Sequence, residues 1–139
     1  MKIRRMLHAL LPLACFLFFL QPALAANVKP LSKDGAEKMV WQLPEVKAWA
    51  EAVEKQSKGE THGASKIDDG NPETIDGKQF WPVTCFVDFP DHIRRWHTFM
   101  IRLDGKEILA DSAATGDYTS LDKWRETEKP MQNLDAASD

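Results

Sequence analysis

The chain has little cysteine: there are 2 in 139 residues, beside a single tyrosine and 7 glycines. Cys15 lies in an apolar run near the amino terminus, so once that run is removed Cys85 stands alone. No intramolecular disulfide can then staple the fold, and stability has to come from a packed core. Internal repeats, low-complexity blocks and a second composition regime are lacking as well, which argues for one domain.

An excess of basic charge is also missing. The amino terminus, MKIRRMLHALLPLACFLFFLQPALAANVKP, places Lys2, Arg4 and Arg5 before an apolar run that closes on Ala23-Leu24-Ala25. This is the pattern of a secretory signal cleaved after Ala25 or Ala26. Pro12 and Pro22 interrupt the run, which is shorter than the roughly 20 apolar residues a membrane span needs. A lipoprotein signal is disfavoured because FLFFL follows Cys15. Removing residues 1–25 leaves 114 residues and takes three of the 18 basic side chains but none of the 21 acidic ones, for a net charge of −6. That balance argues against nucleic acid and against an anionic membrane surface as partners. The expected product is periplasmic or secreted, with no membrane span after signal removal.

The order expected after the signal is a lead-in with a short helix over residues 26–43, one domain over 44–128, and a disordered acidic tail over 129–139. Ser32 is a plausible cap for a helix running to about Trp41, and Pro44 suits the first turn of the next. Within LPEVKAWAEAVEKQSKG, Val46, Trp49, Ala50 and Val53 form one apolar stripe at helical spacing, and Gly59 is placed to end it in the left-handed conformation. Near the carboxyl end, Thr119 and Asp122 have capping-box spacing ahead of a short helix carrying Leu121, Trp124 and Arg125.

Between these helices the periodicity changes to two. GASKI is a weak strand candidate. KQFWPVTCFVDF alternates Trp81, Val83, Cys85 and Val87 against Phe80, Thr84, Phe86 and Asp88, and Pro82 suggests an edge or bulge. HIRRWHTFMIRL alternates His97, Phe99, Ile101 and Leu103 against Arg94, Trp96, Thr98, Met100 and Arg102. Asp104-Gly105 then predicts a tight hairpin into KEILADSA. The sum is an α+β fold in which one main amphipathic helix packs on a three- to four-stranded antiparallel sheet, with short helices at both ends.

The helix-then-strands order, with DGKEILADSA turning into a last strand, resembles the PepSY-like and cystatin-like class of small secreted domains over Pro44 to about Ser112. The ending DYTSLDKWR is similar to that of many small exported bacterial proteins. Since PepSY domains are associated with restraint of proteases, the resemblance implies a binding role, and no catalytic motif comes with it.

Reactive chemistry finds no support in spacing. His92 and His97, five apart on a strand, point to opposite faces and cannot share a metal ion, so no metal or other cofactor is expected. Cys85 lies mid-strand among apolar residues with no base beside it, and is read as a structural thiol. DDGNPETIDG lacks the ligand spacing of a calcium loop, and the Asp111-Ser112 pair has no nucleophile elbow around it. His97 is expected half-buried with a hydrogen-bond partner. What remains is the sheet face away from the helix. Phe86, Arg94, Trp96, Met100 and Arg102 would form a contact strip there of the residue types enriched in interfaces, unless a terminal helix covers it. The expected function is non-enzymatic binding of an exported or envelope protein, as an inhibitor or immunity-type factor for a hydrolase. The alternative is a small-ligand pocket between helix and sheet, lined by Trp49, Trp81 and His97.

Overall fold

The computed structural model describes residues 28–68 and 70–134. The expected signal segment and the end of the expected tail lie outside these residues. Two helices come first, α1 (Lys33–Trp41) and α2 (Pro44–Gln56). Six strands follow: β1 (Gly63–Lys66), β2 (Glu73–Ile75), β3 (Lys78–Asp88), β4 (Ile93–Arg102), β5 (Ile108–Asp111) and β6 (Tyr118–Ser120). Helix α3 (Leu121–Glu128) ends the fold. No helix among the described residues is long and apolar enough to cross a membrane.

The helix boundaries follow local chemistry. The Ser32 hydroxyl accepts the Gly35 N–H at 3.1 Å, satisfying one of the orphan donors of the first turn of α1. Pro44 occupies the first turn of α2, where a missing N–H costs nothing. Beyond the end of α2, Gly59 adopts φ +83° and donates to the Glu54 carbonyl at 2.8 Å. The cap of α3 is Ser120, one residue later than the expected Thr119, with its hydroxyl accepting from Lys123 N–H.

All sheet pairings are antiparallel, in the order β1-β3-β4-β5-β6, and β2 shares with β1 the outer edge of β3. The sheet is thus larger than the three or four strands expected, because β2 and β6 are too short to show an alternation. Asp76 and Gly77, both at positive φ, make the two-residue turn from β2 into β3. By contrast, Asp104-Gly105 lies inside the longer Leu103–Lys106 connection, closed by Arg102 N–H donating to the Glu107 carbonyl. Pro82 is mid-strand. Leu103 N–H reaches the Gln79 carbonyl, so odd-numbered residues of this part of β3 bond toward β4 and Pro82 faces the other edge. There it sits between the stretches paired with β2 and with β1, where no ladder needs its missing donor.

The three helices share one face of the sheet. Ala36 and Val40 of α1, Val46, Trp49 and Val53 of α2, and Trp124 of α3 pack with Val83, Cys85, Val87, Phe99, Ile101 and Ala110 in one core. A half-buried ion pair ties α3 to α2, with Arg125 Nε donating to Glu45 Oε1 at 2.5 Å. After α3 the chain turns back, with Pro130 buried and Leu134 against the core, so Lys129–Leu134 belongs to the fold rather than to a disordered tail.

Among the described residues the opposite face carries no helix, yet Phe80 and Met100 on it are almost completely buried. Four strand spacings separate β2 from β6, about 19 Å in a flat sheet. Tyr118 on β6 nonetheless has its hydroxyl pKa raised, first by burial and then by the Glu73 carboxylate on β2. A sheet curled toward this face accounts for both observations, closing its edges over Phe80 and Met100.

Candidate functional site

The site is created by an irregularity in β4. From Arg102 to His97 that strand pairs with β3 in one register, and beyond it the register slips, with Cys85 opposite His97 but Phe86 opposite Arg95. Trp96 is the extra residue of a β-bulge. Its ring leaves the expected alternation and stacks on Trp49 of α2, centroids 4.6 Å apart and planes 4° from parallel. Trp96 and His97 therefore both face the helices, and His97 lies edge-on to Trp124 at 5.1 Å.

The expected contact strip is consequently not assembled. Trp96 is in the helix-side packing, and Arg94 shares the face of Val87, its guanidinium 5.2 Å from the Phe89 ring centroid. Met100 is fully buried. Arg102 is held by Asp104 and Glu107 at the end of the sheet. Phe86 is half-buried on the helix-free face with Lys66 over its ring. The residues of the alternative pocket are likewise used in packing: Trp49 is buried against Trp96, the Trp81 indole donates to the Leu31 carbonyl at 2.8 Å, and His97 binds Asp111.

What the bulge does assemble is a groove. Strand β5 pairs only with Phe99–Ile101 of β4, and then turns away through Ser112–Asp117 into β6. Among the described residues no strand lies beside Ile93–His97 on that side. The hairpin closes with Phe89 N–H donating to the His92 carbonyl, so alternation turns Arg94 toward β3 and the N–H and C=O of Ile93 and Arg95 outward. Arg95, Trp96, His97, Asp111, Ser112, Ala113, Gly116 and Tyr118 line an open cleft of about 510 Å³ along this edge. Ile93, Phe86 and Tyr118 add apolar surface on the helix-free face, and Ile93 is 56% exposed.

Asp111 organises the inner end of the groove. Where β5 would have continued the ladder, its Oδ1 accepts the Thr98 N–H at 3.1 Å, and Oδ2 accepts from Arg95 Nη2. His97 Nδ1 lies 2.7 Å from the same Oδ1. Since that carboxylate serves as acceptor to its other partners, Nδ1 carries the proton and donates. His97 Nε2 then presents a lone pair toward Glu128 Oε2 of α3, 3.8 Å away. Burial lowers the His97 pKa, the Glu128 carboxylate opposes that shift, and Arg95 reinforces it. Glu128 Oε1 accepts the Ala113 N–H at 2.6 Å, tying α3 to the turn that walls the groove.

Of these residues, the sequence pointed to Trp96 as a contact residue, though on the other face, and to His97 as half-buried and hydrogen-bonded. Arg95, Tyr118 and Glu128 carried no signal, and Asp111 was weighed only as a partner for Ser112. The described residues gather no set of three His, Cys, Asp or Glu able to hold a metal ion.

Fold and site together define an α+β domain with its helices on one face and an open β edge beside a polar-lined groove. No protein-family model matches the chain, and no curated protein or solved structure matches it either.

Proposed function

We propose that this is an exported binding protein that captures an extended segment of another polypeptide as an added strand on the free half of β4. The observation that carries the reading is the unpaired edge from Ile93 to His97, of which Arg95–His97 lines an open cleft. Main-chain bonding supplies affinity in this mode, and pockets for alternate side chains supply selectivity. Here the cleft and the apolar surface of Phe86, Ile93 and Tyr118 offer such pockets on either side of the edge. Export by the amino-terminal signal would place the partner in the envelope or outside the cell. A PepSY-like or cystatin-like role, restraint of a hydrolase by occupying it, fits a strand-capturing edge.

Proline scanning tests this. Ile93→Pro and Arg95→Pro each remove an outward N–H that bonds no strand of the fold, so the first should keep the wild-type melting profile and the second that of Arg95→Ala, which loses the same ion pair with Asp111. Decapeptides selected on the immobilised wild-type protein from a random display library should lose at least ten-fold in affinity for both variants, and much less for Arg95→Ala. Full retention of binding by folded proline variants rules out strand addition at this edge.

A further inference from the structure

Beside the inner end of the groove, joined to its wall through the Ala113 N–H, lies a carboxylate without an arginine or lysine partner. Glu128 is 16% exposed at its side chain, its partners are the Ala113 N–H and His97, and no arginine or lysine among the described residues lies within ion-pair distance of it. Asp111, by comparison, is matched by Arg95. The His97 ring places an acceptor, not a donor, against Glu128, because its proton is committed to Asp111. With the ring neutral, neither of these two acceptors, 3.8 Å apart, can donate to the other, and one donor with two hydrogens that bridges them from the side satisfies both.

We infer that the Glu128–His97 end of the groove takes a primary ammonium group carried by the captured segment, from a lysine side chain or a free amino terminus. The inference deepens the strand-capture reading and rests on it for the occupant. An ammonium donates to Nε2 and to Oε2 at once and neutralises Glu128. It meets the groups that face His97 from each neighbouring element, namely Asp111 of β5, Glu128 of α3 and Arg95 of β4, of which the Asp111–Arg95 pair is already neutral. A segment running antiparallel to β4 would continue the line of β5, with its amino-terminal end at Asp111 and His97. The lowered pKa of His97 keeps the Nε2 lone pair available at neutral pH. Acidification removes it, so ammonium binding weakens as the ring is protonated.

The test is imidazole ¹⁵N NMR of the folded protein at pH 7, titrated with n-butylammonium and, separately, with tetramethylammonium, which has the charge but no N–H donor. The His97 Nε2 resonance should shift saturably with the first and not with the second, and the response should fall at least ten-fold in Glu128→Gln, which keeps an oxygen for the Ala113 N–H. Glycylglycinamide against N-acetyl-lysinamide then separates an amino terminus from a side chain as the source. A His97 already protonated at pH 7 with its Nε2–H on Glu128, an equal response to both cations, or no response overturns the inference. If selected peptides still bind in a proline-sensitive way while the ammonium probes leave His97 unmoved, this inference fails alone and strand capture stands.

Discussion

Asp111 illustrates how much one side chain carries in this fold. It replaces a missing strand residue for Thr98, orients the His97 ring and neutralises Arg95. Asp111→Ala strands the nearly buried Thr98 N–H and should cost about 2–4 kcal/mol in urea unfolding, whereas Asp111→Asn, which keeps an acceptor, should cost about half as much. Cys85 is the opposite kind of residue. Burial, with a smaller contribution from Glu37, pushes its thiol up to about 12. The native protein should therefore leave an aromatic disulfide reagent unreacted at pH 8 and react only in denaturant, and prompt native reaction would show an exposed thiol. His97 links stability to pH. Its folded pKa lies below the usual 6.5, so the folded state binds fewer protons than the unfolded chain between those values. The contribution is complete above about 6.5 and is lost as pH falls through the lower folded value. Urea midpoints from pH 8 to 5 should drop more steeply in the wild type than in His97→Gln.

Among the elements, the bulge at Trp96 and the docking of α3 shape the groove. Both long strands, the stripe of α2, the Ser32 cap and the helix-side set Trp81, Val83, Cys85 and Val87 were legible because each follows a sustained period. The bulge was not legible. One inserted residue reverses the face of everything beyond it, and nothing in RRWHTFM marks which residue is extra. That slip sent Arg94 and Trp96 to the helix side and dissolved the expected strip, while the groove arose from a break in pairing that no single segment encodes. Helix α3 offers a check on the packing. Glu45 is nearly buried and Arg125 is 37% exposed at its side chain, so the two halves of their pair are not equivalent. Arg125→Ala leaves a buried carboxylate unpaired, whereas Glu45→Gln releases an arginine that water can solvate. The first should destabilise by about 2 kcal/mol more than the second in equilibrium unfolding, and equal losses would place Glu45 in solvent.

Among the described residues as a whole, one core with all three helices on a single face leaves the other face to the curl of the sheet and leaves one edge open. The helix-free face was expected to present an apolar contact surface. Instead the curl buries Phe80 and Met100 and moves the accessible surface to the margin of the sheet, beside Ile93 and Tyr118. Strand capture requires the free half of β4 to be an unoccupied strand edge, and residue-resolved amide hydrogen exchange reads that occupancy residue by residue. In the free protein the amides of Ile93 and Arg95 should exchange orders of magnitude faster than those of Arg94, Phe99 and Ile101, and a selected peptide should slow those two. Protection of Ile93 and Arg95 in the free protein equal to that of Phe99 would mean that the edge is already covered, and would contradict strand capture.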